Sequence, residues 1–544
     1  MMNKRHFALI ALMAFALAAC KETPSDPEPK PEPEPTDPVL VAPHNLQVAV
    51  PDGISAVLTW ENASTEFDGV EIQKAGPNGK FKMMGNVEAG VQRYADASFT
   101  ENGQYAYRLC SFKGNSYSDY ATVEFTIDGI PDPAPQVTVT SVDTAPNMIV
   151  VRYTIADDLG GSVKNGIVWT TDGTDPSMES GESFAYWKNL RKDAKGIGVI
   201  MNPAGPVKVR VYAKSTTDGS IGYSEPQTVS PAPEPEPYNV SYTDITPSDV
   251  PSEIKVYKAT TSVTGHTINV WYAIADISTG NVELRTLCPP SNKKTSVFAK
   301  SQVGTPYVFT NGGYFYNGAS LSYVMDKGEQ KAENDSYLAR TKSYYVSRGI
   351  FGVTSTGATS VCWRYGGTVG GGPYFYDTPI PQIDGAEELR PSATFPSPAI
   401  TPGYYSAIGG GPVLIKDGKT RINFYAVDES QKDADKKYLS NFELFYTDIF
   451  NKTQVQPRTA IGRTADGKVV LMVVDGRNKG GSYGVVLSDL ARLMTGVGCV
   501  DVLNLDGGGS SVMCAGQNLN VLNIPSDSSG ERAVFSMVGF AKPE

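Results

Sequence analysis

Three proline-rich breaks constrain this 544-residue chain more than any single motif. Pro24 to Pro38 reads PSDPEPKPEPEPTDP, and shorter versions recur at Ile130 to Pro135 (IPDPAP) and Pro231 to Pro237 (PAPEPEP). Proline lacks a backbone donor, and a Pro/Glu alternation offers nothing to bury, so such stretches extend as polyproline II and cannot join a core. They leave segments of about 90, 95 and 305 residues, each the size of a domain. The expected division is a leader at 1–19, a stalk at 20–41, folded modules at 42–129 and 135–230, and a larger domain at 238–544.

The N-terminus carries its own signal. Lys4 and Arg5 precede the apolar stretch Phe7 to Ala16, and Leu17-Ala18-Ala19-Cys20 follows. A charged start, a short apolar run and small residues mark a secretory leader, too short to serve as a mature membrane span. The cysteine at the cut resembles a bacterial lipobox. Cys20 is therefore expected to become the lipidated first residue and to tether the chain to a bacterial membrane, with the outer membrane as the expected location. Lys21 and Glu22 partly resemble the surface-export tag of some Gram-negative lipoproteins, although the acidic run is incomplete.

With Cys20 lipidated, Cys110, Cys288, Cys362, Cys499 and Cys514 remain. No CxxC pair occurs, which argues against a structural zinc site. The odd count leaves at least one free thiol, and whether Cys499 and Cys514 pair is open. The net charge of -11 argues against nucleic-acid binding, which calls for a basic stripe.

Both smaller modules alternate like half-buried sheets. Ala56, Leu58 and Trp60 share one face, as do Tyr105, Tyr107, Leu109 and Ser111 on a later strand. PHNLQVAV, AVLTW, DGVEIQK and YAYRLCSF resemble a fibronectin type III domain across nearly the whole first module. In the second, Ile149, Val151, Tyr153 and Ile155, then Val207, Val209, Val211 and Ala213, repeat the pattern and predict another Ig-like sandwich. No residue in either suggests chemistry; modules of this kind bind glycans or act as spacers, and the spacer is the expected role.

In the last segment three apolar strands end in polar side chains beside glycine. PYVFTNGGYF breaks after Asn311, KVVLMVVDGR after Asp475, and VDVLNLDGGGSS after Asp506. Rigid strands that end this way commonly present functional groups. SDLARLMTGVG between the last two predicts a helix with Ser488 as N-cap, Asp489 in the first turn and Leu490, Leu493, Met494 and Val497 as its buried stripe. A strand, helix, strand order would bring both aspartate loops to one sheet edge. Asp417-Gly418 reads as a hairpin turn, and Gly370 to Gly372 has no reactive neighbour. The fold expected overall is two all-β sandwiches followed by an α+β catalytic domain.

TNGGYF at 310 to 315, IGGGPVLIKDG at 408 to 418, PRTAIGRTADGKVVLMVVDGR at 457 to 477, SDLARLMTGVGCVDVLNLDGGGSS at 488 to 511 and ERAVFSMVGF at 531 to 540 resemble, in order, the phosphodiester glycosidase family. The resemblance spans most of 238 to 544, fits poorly from Leu321 to Pro402 and omits the two sandwiches. It implies hydrolysis of a sugar-1-phosphodiester, releasing the sugar and leaving a phosphomonoester. Arg458 would hold phosphate oxygens, with Arg477 or Arg532 adding charge. The amides of Gly507, Gly508 and Gly509 would form an anion nest. Asp475 and Asp506 are the expected catalytic carboxylates, with Asn311 and Ser510 orienting sugar hydroxyls or water.

Rival readings are weaker. A serine hydrolase built on Ser510 or Ser511 needs a base; His6 is in the leader and His44 abuts the stalk, which leaves His266. No cofactor is implied; Asp475 and Asp506 with asparagine oxygens would suit calcium or magnesium, but no EF-hand-like spacing supports a metal. The alternative from another class is a non-catalytic, glycan-binding surface lipoprotein.

Overall fold

A computed structural model describes residues 39–130, 133–339, 342–383, 385–422, 443–444 and 454–544, with the short strands Tyr425–Ala426 and Tyr438–Leu439. The predicted leader, Cys20 and most of the stalk lie outside the described residues. The chain divides into two compact units, before and after residues 132/133.

The first unit is a sandwich of a three-stranded and a five-stranded antiparallel sheet. Leu58, Trp60, Val70, Ile72, Tyr107 and Leu109 interleave between the sheets, following the period-2 pattern of the sequence. Ala56, Tyr105 and Ser111 are buried as well.

The second unit begins with another sandwich. Ile149, Val151, Tyr153 and Ile155 from one strand meet Val207, Val209, Val211 and Ala213 from another. Unlike a spacer, this sandwich also buries residues of the opposite phase. Met148, Val150, Ile197 and Val199 pack against Ile383 and Ala386 of the C-terminal domain. Fully burying side chains of this size is worth about 1.5–3 kcal/mol each.

The stretch 231–238 adds to that attachment. Ala232 N–H donates to Ala145 O (3.2 Å), and Thr420 N–H donates to Glu234 Oε2 (3.0 Å). Arg492 donates to Glu236 O (2.7 Å), and its guanidinium lies 3.9 Å from the centre of the Tyr238 ring.

The C-terminal domain is nearly all β, where an α+β domain is expected from sequence. Among its described residues the only α-helices are Thr295–Gln302 and Leu487–Gly496. Its main sheet has eight antiparallel strands, with His266–Ala275, Val469–Val474, Arg458–Thr464, Cys499–Asn504 and Val413–Lys416 side by side in that order. Alternate residues of Val469–Val474 serve two cores. Val469, Leu471 and Val473 face the layer shared with the other sheets, while Val470, Met472 and Val474 pack with Leu490, Leu493 and Met494 of the helix. This explains an apolar run without polar alternation.

Five strands, including Pro306–Asn311, Met513–Ala515 and Met537–Ala541, form a second sheet, and the poorly matching region from Leu321 to Pro402 contributes most of a third, six-stranded one. Asp417 (φ 53°) and Gly418 (φ 72°) form the expected hairpin turn.

Two local expectations change. The helix is preceded by Val486 in extended conformation, not capped by Ser488. Asp489 instead accepts a hydrogen bond from Tyr238 Oη (2.8 Å), a partner 251 residues away. Cys499 and Cys514 are both free and buried. They sit on strands of different sheets, which keeps each within its own core.

Candidate active site

The sheet order places the polar strand ends together. Val469–Val474 and Cys499–Asn504 flank Arg458–Thr464, and both run antiparallel to it. Their C-terminal ends therefore meet its N-terminal end, with Arg458 opposite Val474 and Ala460 opposite Asn504. Arg458, Asp475 and Asp506 come to one edge, as the strand, helix, strand order predicts, though with a strand between the two aspartates.

A cavity of about 210 Å³ opens there, lined by Tyr314, Gln454, Gln456, three arginines (458, 477 and 532), Asp506 and Gly507 to Gly509. Asp506 is held by its backbone. Its N–H donates to Gly312 O (3.1 Å), and its carbonyl accepts from Asn311 Nδ2 (2.7 Å). Burial raises the Asp506 carboxyl to about 6; hydrogen bonds from Ser510 and the Gly507 amide, and the nearby Arg532 charge, pull in the opposite direction.

Arg458 is 2 % exposed. Its guanidinium donates to the carbonyls of Val485 (3.2 Å) and Gln454 (2.8 Å), and among the described residues no carboxylate pairs with it. Burial lowers its pKa to about 10, so it remains a cation at neutral pH. Arg477, exposed, donates to Gln456 Oε1 (2.8 Å) and Ser526 Oγ (3.4 Å), and likewise has no carboxylate partner among the described residues. Arg532 differs, since Asp527 takes it bidentately at 2.6 and 2.8 Å.

The three glycines make room for these cations. A Cβ on Gly507 would stand 2.8 Å from Pro457 O and in contact with Arg458 Cδ; one on Gly508 would stand 2.8 Å from Arg477 Nη2; one on Gly509 would overlap the Arg532–Asp527 pair. Gly508 also has φ 61°, a backbone region that disfavours side chains. The expected anion nest is only partly available, because Gly507 N–H donates to Asp506 Oδ1 (2.9 Å) and Gly508 N–H to Pro457 O (2.9 Å). Gly509→Ala should therefore split the Arg532–Asp527 pair and lower kcat/KM on the order of 10- to 100-fold. Steady-state kinetics beside a thermal melt checks this, and unchanged kinetics would show that the Arg532 position is immaterial.

Three expected site residues serve the protein instead of lining the cavity. Asn311 is fully occupied: Oδ1 accepts from Thr459 Oγ1 (2.9 Å) and Val512 N–H (3.2 Å), while Nδ2 donates to the Asp506 and Gly312 carbonyls. It positions Asp506 and has no group left for a sugar. Asp475 is 1 % exposed, and its two oxygens accept from Asn523 Nδ2 (2.7 Å) and Ile524 N–H (2.9 Å). Burial raises its carboxyl to about 6, yet its contacts fix the 523–524 segment. Ser510 is buried beneath Arg532, whose Nη1 donates to its Oγ at 3.3 Å. His266, the residue a serine hydrolase would need, stacks on Tyr483 with ring centres 4.0 Å apart. Among the described residues, no three His, Cys, Asp or Glu side chains cluster as metal ligands.

Tyr314, Gln454 and Gln456 are absent from the expected set. Tyr314 Oη donates to Gly411 O (2.7 Å) and accepts from Asn504 Nδ2 (2.7 Å), which ties the cavity wall to the strand that delivers Asp506. Residues 454, 456 and 458 alternate, so a period-2 reading back from Arg458 points to both glutamines.

Residues 304–541 match the family model described as phosphodiester glycosidase. That segment resembles the family, and it takes in every residue lining the cavity. Among curated proteins, an 88-residue stretch is 40% identical to the SPbeta prophage-derived uncharacterized protein YomE of Bacillus subtilis (strain 168), covering 16% of this chain and 13% of that protein. Among solved structures, the chain is similar to the zebrafish N-acetylglucosamine-1-phosphodiester alpha-N-acetylglucosaminidase catalytic domain auto-inhibited by pro-peptide. That match has 18% identity and a TM-score of 0.35, covering 56% of this chain and 89% of the other. A two fibronectin type III domain segment from chicken tenascin matches at 16% identity and a TM-score of 0.21, covering 35% of this chain and 98% of the other.

Proposed function

We propose that the glycosidase domain cleaves the C1–O bond of a sugar-1-phosphodiester. The observation that carries this reading is the buried Arg458 guanidinium, which has no carboxylate partner among the described residues and faces the same cavity as Asp506. A buried cation without a protein counter-ion is costly to fold, and it fits a site whose missing partner is an anionic ligand. Arg458 and Arg477 hold the phosphate, and Asp506 serves the C1 side as nucleophile or as base for water.

A glycosidase ordinarily needs a second carboxylate to protonate its leaving group. Asp506 is the sole carboxylate among the lining residues. A leaving phosphomonoester, whose second pKa is about 6, departs with the C1–O bonding pair without strong acid assistance. The arginines stabilise the charge it gathers. Water supplies the new hydroxyl on C1, and its proton passes to Asp506 or to solvent.

Hydrolysis in ¹⁸O-labelled water tests the bond that breaks. Cleavage at C1 places the label on the sugar and leaves the phosphate unlabelled. Label in the phosphate would mean attack at phosphorus and would overturn the role given to Asp506. Anchoring through lipidated Cys20 belongs to the same proposal, supported by the leader-like segment before it. Cys20→Ala should abolish lipid labelling and move the protein to the soluble fraction, whereas unchanged membrane retention would refute the anchor.

A further inference from the structure

The charge around the cavity is unbalanced in a way that concerns the product as much as the substrate. Among the described residues, Arg532 is the one lining arginine with a salt-bridge partner, Asp527. Arg458 and Arg477 approach the glycine run from different segments, with Arg458 Cδ beside Gly507 and Arg477 Nη2 beside Gly508. Among the described residues their hydrogen-bond partners are neutral: two carbonyls for Arg458, an amide and a hydroxyl for Arg477. Among the described residues neither guanidinium is salt-bridged, although Asp506 lines the same cavity and Asp527 lies near enough to Arg477 to feel its charge.

A phosphodiester brings one negative charge and two non-bridging oxygens. The phosphomonoester left by cleavage brings nearly two charges and three terminal oxygens at neutral pH. Paired guanidiniums bind such a fork of oxygens best, through charge-assisted bonds that a neutral sugar cannot form. The released sugar has no comparable hold on these groups.

We propose that Arg458 and Arg477, which form no salt bridge among the described residues, make the phosphomonoester product a competitive ligand that binds more tightly than the phosphodiester and restrains turnover until it is removed. This rests on the reaction proposed above. It also gives the enzyme a place in a reaction sequence: a phosphomonoester-consuming reaction, such as phosphatase hydrolysis, is needed downstream for sustained flux.

Calorimetric titration of the full chain separates this inference from the reaction. The probes are glucose 6-phosphate, its methyl phosphodiester and glucose, used at about pH 8, where the monoester is a dianion. The monoester should bind about tenfold or more tightly than the methyl diester, and glucose more weakly than either. In Arg458→Met, with folding checked by its melting temperature, the preference should fall below about threefold. Arg477→Met, which removes an exposed side chain, should reduce it independently.

A methyl diester that binds as tightly as the monoester, or a monoester that binds no better than glucose, would overturn the proposal. So would a monoester preference unchanged in both arginine variants. A second measurement follows sugar release from a sugar-1-phosphodiester, where progress curves should bend early and straighten when a phosphomonoesterase is added. No sugar release at all would count against the proposed reaction, while the binding preference would still be decided by calorimetry.

Discussion

Asp506→Asn should lower turnover of a sugar-1-phosphodiester on the order of 10²-fold or more, with the melting temperature little lowered. The substitution keeps the planar side chain, and the backbone bonds from Asn311 and to Gly312 that hold residue 506 do not involve the carboxylate. What disappears is the negative charge that the proposed mechanism sets against C1. The wild-type pH profile should report the same group. Burial raises its pKa to about 6, and the proposed role needs the ionised form, so activity should fall as pH drops through about 6. That limb should be absent from the residual activity of the variant. Full activity in Asp506→Asn would remove this carboxylate from the mechanism.

Arg458→Met should separate activity from stability. Loss of the guanidinium should reduce kcat/KM for the phosphodiester by about 10²- to 10³-fold, the usual cost of a lost transition-state donor. A neutral aryl glycoside, which presents no anion, should lose far less. Stability should move little or rise, because methionine has a similar stem while the wild-type cation is buried without a carboxylate partner. Two carbonyl contacts are lost, which limits the gain. Parallel kinetics and thermal melts read both effects. Equal losses on the two substrates, or a large fall in melting temperature with proportionate loss of active protein, would make Arg458 structural.

Much of this arrangement can be read along the chain because its determinants are local and periodic. Alternation identifies the buried faces at Leu58 and Trp60, Ile149 to Ile155 and Val207 to Ala213. The order of strand, helix and strand brings the Asp475 and Asp506 ends to one edge even though the Arg458 strand lies between them. The direction of individual side chains is less legible. Asp475 and Asp506 have the same local setting, an apolar strand followed by glycine, yet one turns to Asn523 and the other to the cavity. Asn523 is 48 residues from Asp475, and Asn311 is 195 from the Asp506 carbonyl it supports, so neither role has a short-range signature. The glycine run is legible as a demand for close approach. Sequence does not show that arginines of the same protein answer much of that demand.

The packing of Ile383 and Ala386 against the outer face of the second sandwich has a consequence for how such a chain can be recombined. A cut after Pro237 would look natural on a domain diagram, but it would bare a hydrophobic footing and remove the carbonyl and ring partners of Arg492. The portable cassette starts near residue 133 and carries the sandwich with it. What looks like one bead on a string is, for the C-terminal domain, part of the foundation.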